Sequence, residues 1–138
     1  MCGHTHCGAM QAVLNPDATS EMPRVRQWLG NSDACAEIVS SCYAHLAGEA
    51  RVKVLVQENV LTQLEHVRTH PSVASGLASG ELKLHAWVYK METGEVFSFN
   101  PDSGQFSLLM SAPPREAMER ESAVGRRRVR PAMVASAI

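Results

Sequence analysis

The sequence predicts an α/β fold, and three observations carry that class. Residues 50–70 repeat apolar side chains at threes and fours, residues 81–90 alternate apolar with polar, and Thr93-Gly94 separates that alternating stretch from a second one. The 138 residues suffice for one domain with its own core. Hydrophobic residues make up 45% and charged residues 20%, a globular rather than disordered balance. A net charge of -1 offers nucleic acid no attractive field, and the longest apolar stretches, such as "VKVLV", are too short for a membrane span.

The elements follow in chain order. "CGAMQAVLN" reads as a short helix entered through Gly8 and closed at Asn15-Pro16, because the residue before a proline is pushed out of helical space. A polar linker becomes helical around Pro23, which suits a first turn, and Gly30 stops it. In "NSDACAEIVSSCYAHLAG", Asn31 or Ser32 is expected to cap a helix whose Ala34, Ile38, Cys42 and Leu46 share a face. The clearest helix is "ARVKVLVQENVLTQLEHVRTH", with Val52, Leu55, Val56, Val60, Leu64 and Val67 on one side. Pro71 ends it and opens "PSVASGLASG", a short helix with Gly80 in the C-terminal capping place.

The period then changes. "ELKLHAWVYK" puts Leu82, Leu84, Ala86 and Val88 on one face of a strand and Lys83, His85, Trp87 and Tyr89 on the other. The turn at Thr93-Gly94 leads to a second strand through Val96, Phe97 and Phe99, so a C-terminal β-hairpin is expected. From Ser107 the pattern decays into a stretch with few large apolar residues and the basic run "RRRVR". The division expected is a domain over residues 1–106 and a flexible, solvated tail over 107–138.

The chemistry is concentrated in "MCGHTHCGAM". Cys7 stands where a helix begins, and the positive end of a helix favours a thiolate, so Cys7 is the best metal ligand among the cysteines. His4, two residues apart on the preceding loop, can reach the same ion, with Cys2 and His6 as alternative ligands. Against this stands the plain reading that cysteines pack as small hydrophobes and that histidines near a chain start are solvated, since the second ligand pair of a zinc finger is missing. Cys35 and Cys42, two helical turns apart, read as core packing. His45, His66 and His70 read as surface histidines, and His85 as a sheet histidine. Four cysteines without a leader peptide suit a reducing compartment.

Taken in order and spacing, "CGHTHCGAMQAVL", "MPRVRQWL" and "ENVLTQLEHVRTHPSVASGLASGELKLHAWVYKMETGEVFSFNP" resemble the second half of a β-class carbonic anhydrase, over about residues 2 to 106. The resemblance implies a mostly parallel sheet flanked by helices. It also implies Zn2+ held by two cysteines and one histidine, and reversible hydration of carbon dioxide to bicarbonate. His4 and Cys7 match the family's second and third ligands, and Gly8 falls where the family's backbone lines the substrate pocket.

The resemblance further implies a homo-oligomer, a dimer or higher, in the cytoplasm or a bacterial microcompartment, with no nucleic acid and no membrane span. The family's Cys-x-Asp-x-Arg motif, which brings the first cysteine ligand and an aspartate–arginine pair, occurs nowhere in this sequence. The chain therefore looks like a C-terminal portion, without catalytic residues of its own. The lone chain is expected to be poorly stable and to lack full activity. The alternative is a non-catalytic remnant acting as a weak zinc-binding or interaction module.

Overall fold

The computed structural model of the chain describes residues 1–109. Strand β1 (Cys2–His4) leads directly into helix α1 (Gly8–Leu14), followed by a 3-10 turn over Pro16–Thr19. Helices α2 (Pro23–Leu29), α3 (Asp33–Cys42), α4 (Gly48–Arg68) and α5 (Pro71–Ala78) come next, then strands β2 (Trp87–Lys90), β3 (Glu95–Asn100) and β4 (Gln105–Leu108). The helix boundaries have the expected chemistry. Pro23 and Pro71 sit in first turns, and Gly80 takes φ +76 just past the end of α5, where an L side chain would be strained.

The four strands form one sheet in the order β1-β2-β3-β4. β1 runs parallel to β2, with Cys2 opposite Trp87 and His4 opposite Tyr89. β2, β3 and β4 form an antiparallel meander. The predicted class is observed, with one parallel pair among the described strands and a third strand added to the expected hairpin. Gln105–Leu108 occupies the place where the sequence pattern decays, because Phe106 pairs with Phe99 and stacks on it at 5.3 Å. Beyond residue 109 the expected tail, including "RRRVR", lies outside the described residues.

The core lies between one face of the sheet and helices α1, α3 and α4. Met10, Cys35, Val39, Leu55, Val56, Val60, Ala86 and Val88 make a single cluster. Burial of this apolar surface, at roughly 25 cal/mol per Å2, is what holds the short strands to the helices. The alternation expected for residues 81–90 appears where it matters, with Ala86 and Val88 buried and Trp87 and Tyr89 exposed. The strand itself is shorter, Trp87–Lys90, because its parallel partner β1 spans three residues.

Helix α3 departs from expectation. Its inward face is Cys35 and Val39, both 0% exposed, whereas Ala34, Ile38 and Cys42 face solvent and Leu46 lies beyond the helix end. Cys42 is thus a surface cysteine, not a core one. Ser32 holds the N-cap position but makes no capping bond; its hydroxyl donates instead to Asn59 Oδ1 on α4 at 3.0 Å. The buried face of α3 follows the ridge of α4 it packs on, and that choice lies outside the helix's own sequence.

β1 pairs with β2 alone among the described strands, so its other edge is open. Large apolar side chains also stay in solvent, including Trp28 at 63% exposure, Val25 on the same helix α2 and Met22 at its N-cap. Unpaired backbone along a strand edge and uncovered apolar helix faces both count against stability of the lone chain, in the direction expected from the sequence. No helix among the described residues is long and apolar enough to cross a membrane.

Candidate metal centre

Two residues separate His4 from Cys7, and the backbone uses them to turn from sheet to helix. His4 is the last residue of β1, Cys7 is the N-cap of α1, and Gly8 is the first residue of that helix. Gly3 faces α4, so strand alternation directs Cys2 and His4 to the opposite, open face of the sheet. Cys7 is half-buried against the edge of the core. Between the two, His6 takes φ +53, the one non-glycine residue with positive φ among the described residues. A β-carbon in that left-handed region costs about 1–2 kcal/mol, so contacts outside the turn must hold it.

The ring of His4 is oriented by its neighbour. Its Nδ1 lies 2.8 Å from the Thr5 carbonyl oxygen. A carbonyl only accepts, so Nδ1 carries the proton, and Nε2 of the neutral ring presents a lone pair. Metal-binding histidines are commonly fixed in this way. Cys7 is a free thiol. One imidazole nitrogen and one sulfur suit zinc in kind but fall short in number, since catalytic zinc sites use three protein ligands and keep a fourth position open.

Neither expected substitute joins them. Cys2 Sγ sits 3.4 Å from the Gly3 carbonyl oxygen, and among the described residues no group of three or more ligating side chains includes His4 or Cys7. His6 points to two carboxylates: its Nε2 lies 2.6 Å from Glu92 Oε1 and its Nδ1 3.8 Å from Glu49 Oε1. These three exposed residues form the one group with clustered ligand atoms among the described residues. Only the Glu92 contact is within hydrogen-bond distance, with Nε2–H donating to Oε1; the Glu49 carboxylate at 3.8 Å stands opposite the other ring nitrogen without a hydrogen bond.

Glu92 has a second task. Its Oε2 accepts a 2.7 Å hydrogen bond from the Thr5 hydroxyl, which in turn accepts the Met91 amide N–H at 3.0 Å. The Thr5 hydroxyl, followed by the carboxylate's own backbone, holds the Glu92 carboxyl below the usual carboxylate range. A cavity of about 840 Å3 opens beside this network, between Glu49, Val52 and Val56 of α4 and Val88, Phe97 and Phe106 of the sheet. Thr5 and His6 line it, and His4 and Cys7 do not. A β-carbon added at Gly8 would meet nothing within 4 Å, so the space at the start of α1 is open.

Sequence reasoning singled out His4, Cys7 and Gly8 and missed Thr5, Glu49 and Glu92. No periodicity marks these three, because they meet only when the turn after β2 and the start of α4 close on the β1–α1 turn. Of the remaining histidines, His45, His66 and His70 agree with the plain reading, whereas His85, expected in a strand, lies two residues before β2. His45, His66, His70 and His85 are exposed, His66 beside Gln63 and His85 stacked on Trp87 at 5.9 Å.

Residues 1–96 match a protein-family model described as carbonic anhydrase. The carbonic anhydrase of Synechocystis sp. (strain ATCC 27184 / PCC 6803 / Kazusa) is 43% identical over 101 residues, which is 72% of this chain and 37% of that protein. That of Pseudomonas aeruginosa is 38% identical over 118 residues, 86% of this chain and 53% of that protein. Among solved structures, the β-carbonic anhydrase CcaA superposes with a TM-score of 0.75 at 40% identity, over 78% of this chain and 53% of that one. The Coccomyxa β-carbonic anhydrase in complex with acetazolamide gives 0.62 at 25% identity, over 88% and 56%. The chain thus spans about half the length, or less, of the relatives it matches.

Proposed function

The chain belongs to the β-class carbonic anhydrase family, and from that membership we propose that it supplies one side of a zinc site for the reversible hydration of carbon dioxide. The observation that carries this reading is the His4–Thr5 contact, which leaves Nε2 of a neutral imidazole free at the end of β1, three residues before the half-buried thiol of Cys7. When bound by three ligands with an open fourth position, zinc supplies a water acidic enough to act as hydroxide near neutral pH.

This chain's own residues do the holding and the shaping. His4 and Cys7 would contribute two of the three ligands, and the Thr5 carbonyl keeps the imidazole in the ligating tautomer. The open space in front of Gly8 leaves room for a substrate as small as carbon dioxide or bicarbonate. The second thiolate, which is the third ligand, and the aspartate–arginine pair of the Cys-x-Asp-x-Arg motif would come from polypeptide other than this sequence. Without them the chain is proposed to bind zinc weakly and to turn over no substrate. A non-catalytic, weakly zinc-binding module is the second reading, favoured by the two-donor count.

The test measures zinc content and carbon dioxide hydration for the chain alone and for the chain joined to the Cys-x-Asp-x-Arg segment of the Synechocystis relative. Alone, it should show no turnover above background. Joined, it should hold stoichiometric zinc and hydrate carbon dioxide, and His4→Ala or Cys7→Ser should abolish both. Turnover by the chain alone would overturn the need for a third ligand. A joined, zinc-loaded protein without activity would favour the non-catalytic module.

A further inference from the structure

Both residues that separate His4 from Cys7 are held by one side chain, that of Glu92. Its Oε2 accepts the Thr5 hydroxyl at 2.7 Å and its Oε1 lies 2.6 Å from His6 Nε2. We propose that Glu92 is a positioning residue for the His4–Cys7 turn, an inference that rests on reading those two residues as zinc ligands.

The turn cannot hold itself. Its one strained residue is His6, with φ +53, and the hydrogen bonds that brace it come from the segment after β2, more than eighty positions along the chain. The Thr5 amide donates to the Tyr89 carbonyl at 3.0 Å, which continues the β1–β2 ladder one residue past the strand. Beyond that point the ladder ends and side chains take over. Met91 N–H donates to the Thr5 hydroxyl, and the hydroxyl's single proton goes to Glu92. Such a chain is directional, because removing the final acceptor leaves the hydroxyl without an oriented proton and weakens what Met91 donates to.

An ordinary exposed carboxylate contributes little through a contact with one mobile partner. Glu92 differs in using its two oxygens on adjacent residues, which fixes where the backbone passes between the ligands. It touches neither His4 nor Cys7, so it acts through Thr5 and His6. Groups that orient metal ligands from behind typically change metal affinity by 10–100-fold when removed.

The experiment uses the full chain and two measurements that fail independently. Co2+ titration followed by thiolate-to-metal charge-transfer absorption reports on Cys7, with Cys7→Ser as the blank. Amide hydrogen exchange at Thr5 and Met91 reports on the turn without any metal. Glu92→Ala should weaken Co2+ binding about tenfold and speed Met91 exchange at an unchanged unfolding midpoint. Glu92→Gln, which keeps an acceptor for Thr5, should recover most of both.

If Co2+ gives no Cys7-dependent absorption, the ligand reading fails, and exchange then decides for Glu92 alone. Exchange that rises in Glu92→Ala and is restored in Glu92→Gln keeps it as the brace of the turn. Unchanged exchange in Glu92→Ala overturns the proposal. Co2+ d–d absorption that persists in Cys7→Ser and is lost equally in Glu49→Ala and Glu92→Ala would place the ion among His6, Glu49 and Glu92 and overturn it as well.

Discussion

A β-carbon on Gly3 would lie 2.7 Å from Val60 Cγ2 and 2.9 Å from Val56 Cγ1, so β1 rests directly on α4 with no room for a side chain between them. Both valines are buried, and a β-branched side chain in a helix has essentially one rotamer, so neither methyl can swing aside. Gly3→Ala should therefore push the strand outward and destabilise the chain by about 1–3 kcal/mol. Urea unfolding checks this, and an unchanged midpoint would show that β1 floats on α4.

Leu55 is the largest of the fully buried side chains among the described residues, at 0% exposure, and belongs to the cluster that joins helices to sheet. Leu55→Ala should cost about 2–5 kcal/mol through lost transfer energy and a residual cavity. Domains of this size have about 5–15 kcal/mol in total, and among the described residues a sheet edge and apolar faces stay uncovered. Loss of the cooperative thermal transition, seen by circular dichroism, is the expected result. A transition at the wild-type temperature would contradict this placement of the core.

Asn59 joins α3 to α4 through one oxygen. Its Oδ1 accepts from Ser32 Oγ at 3.0 Å and Gln63 Nε2 at 3.2 Å, and the Cys35 thiol lies 3.8 Å away. Asn59→Ala strands the buried Ser32 hydroxyl and should cost about 1–3 kcal/mol. Ser32→Ala leaves Asn59 its other donors and should cost less. Denaturation midpoints in the reverse order would show that Ser32 finds another partner.

The Glu92 carboxyl is held below its usual range, chiefly by the Thr5 hydroxyl. A folded pKa below the unfolded value, about 4.3 for glutamate, means that the contact's contribution is complete above the unfolded pKa. It is lost as pH falls through the lower folded pKa. Thr5→Val, which keeps shape and removes the hydroxyl, should raise the Glu92 titration midpoint toward the ordinary value. Carboxyl-carbon chemical shifts against pH measure it, and an unmoved midpoint would assign the depression to the backbone instead.

Much of the fold is legible because it is local. The period of Val52, Leu55, Val56 and Val60 names the buried side of α4, the alternation through Ala86 and Val88 names the inner face of β2, and prolines and glycines mark where helices start and stop. The candidate site was half legible. His4, Cys7 and Gly8 stand together in sequence and carry their own chemistry, whereas Glu92 lies in "METGEV", where it reads as part of a turn.

By itself the sequence determined most of the elements, the candidate ligand pair and the resemblance to a family, since each is a matter of residue type at short spacing. Only the tertiary structure decided that α3 buries Cys35 and Val39 rather than Ala34, Ile38 and Cys42, and that Gln105–Leu108 becomes a strand. It likewise decided that Thr5 and His6 answer to Glu92. The reason is that a helix with apolar residues on more than one side, a short polar strand and a turn braced by side chains all take their final form from a partner. For α3 and β4 that partner is the neighbouring element and for the turn it lies more than eighty positions away, and in none of the three does the local pattern name it.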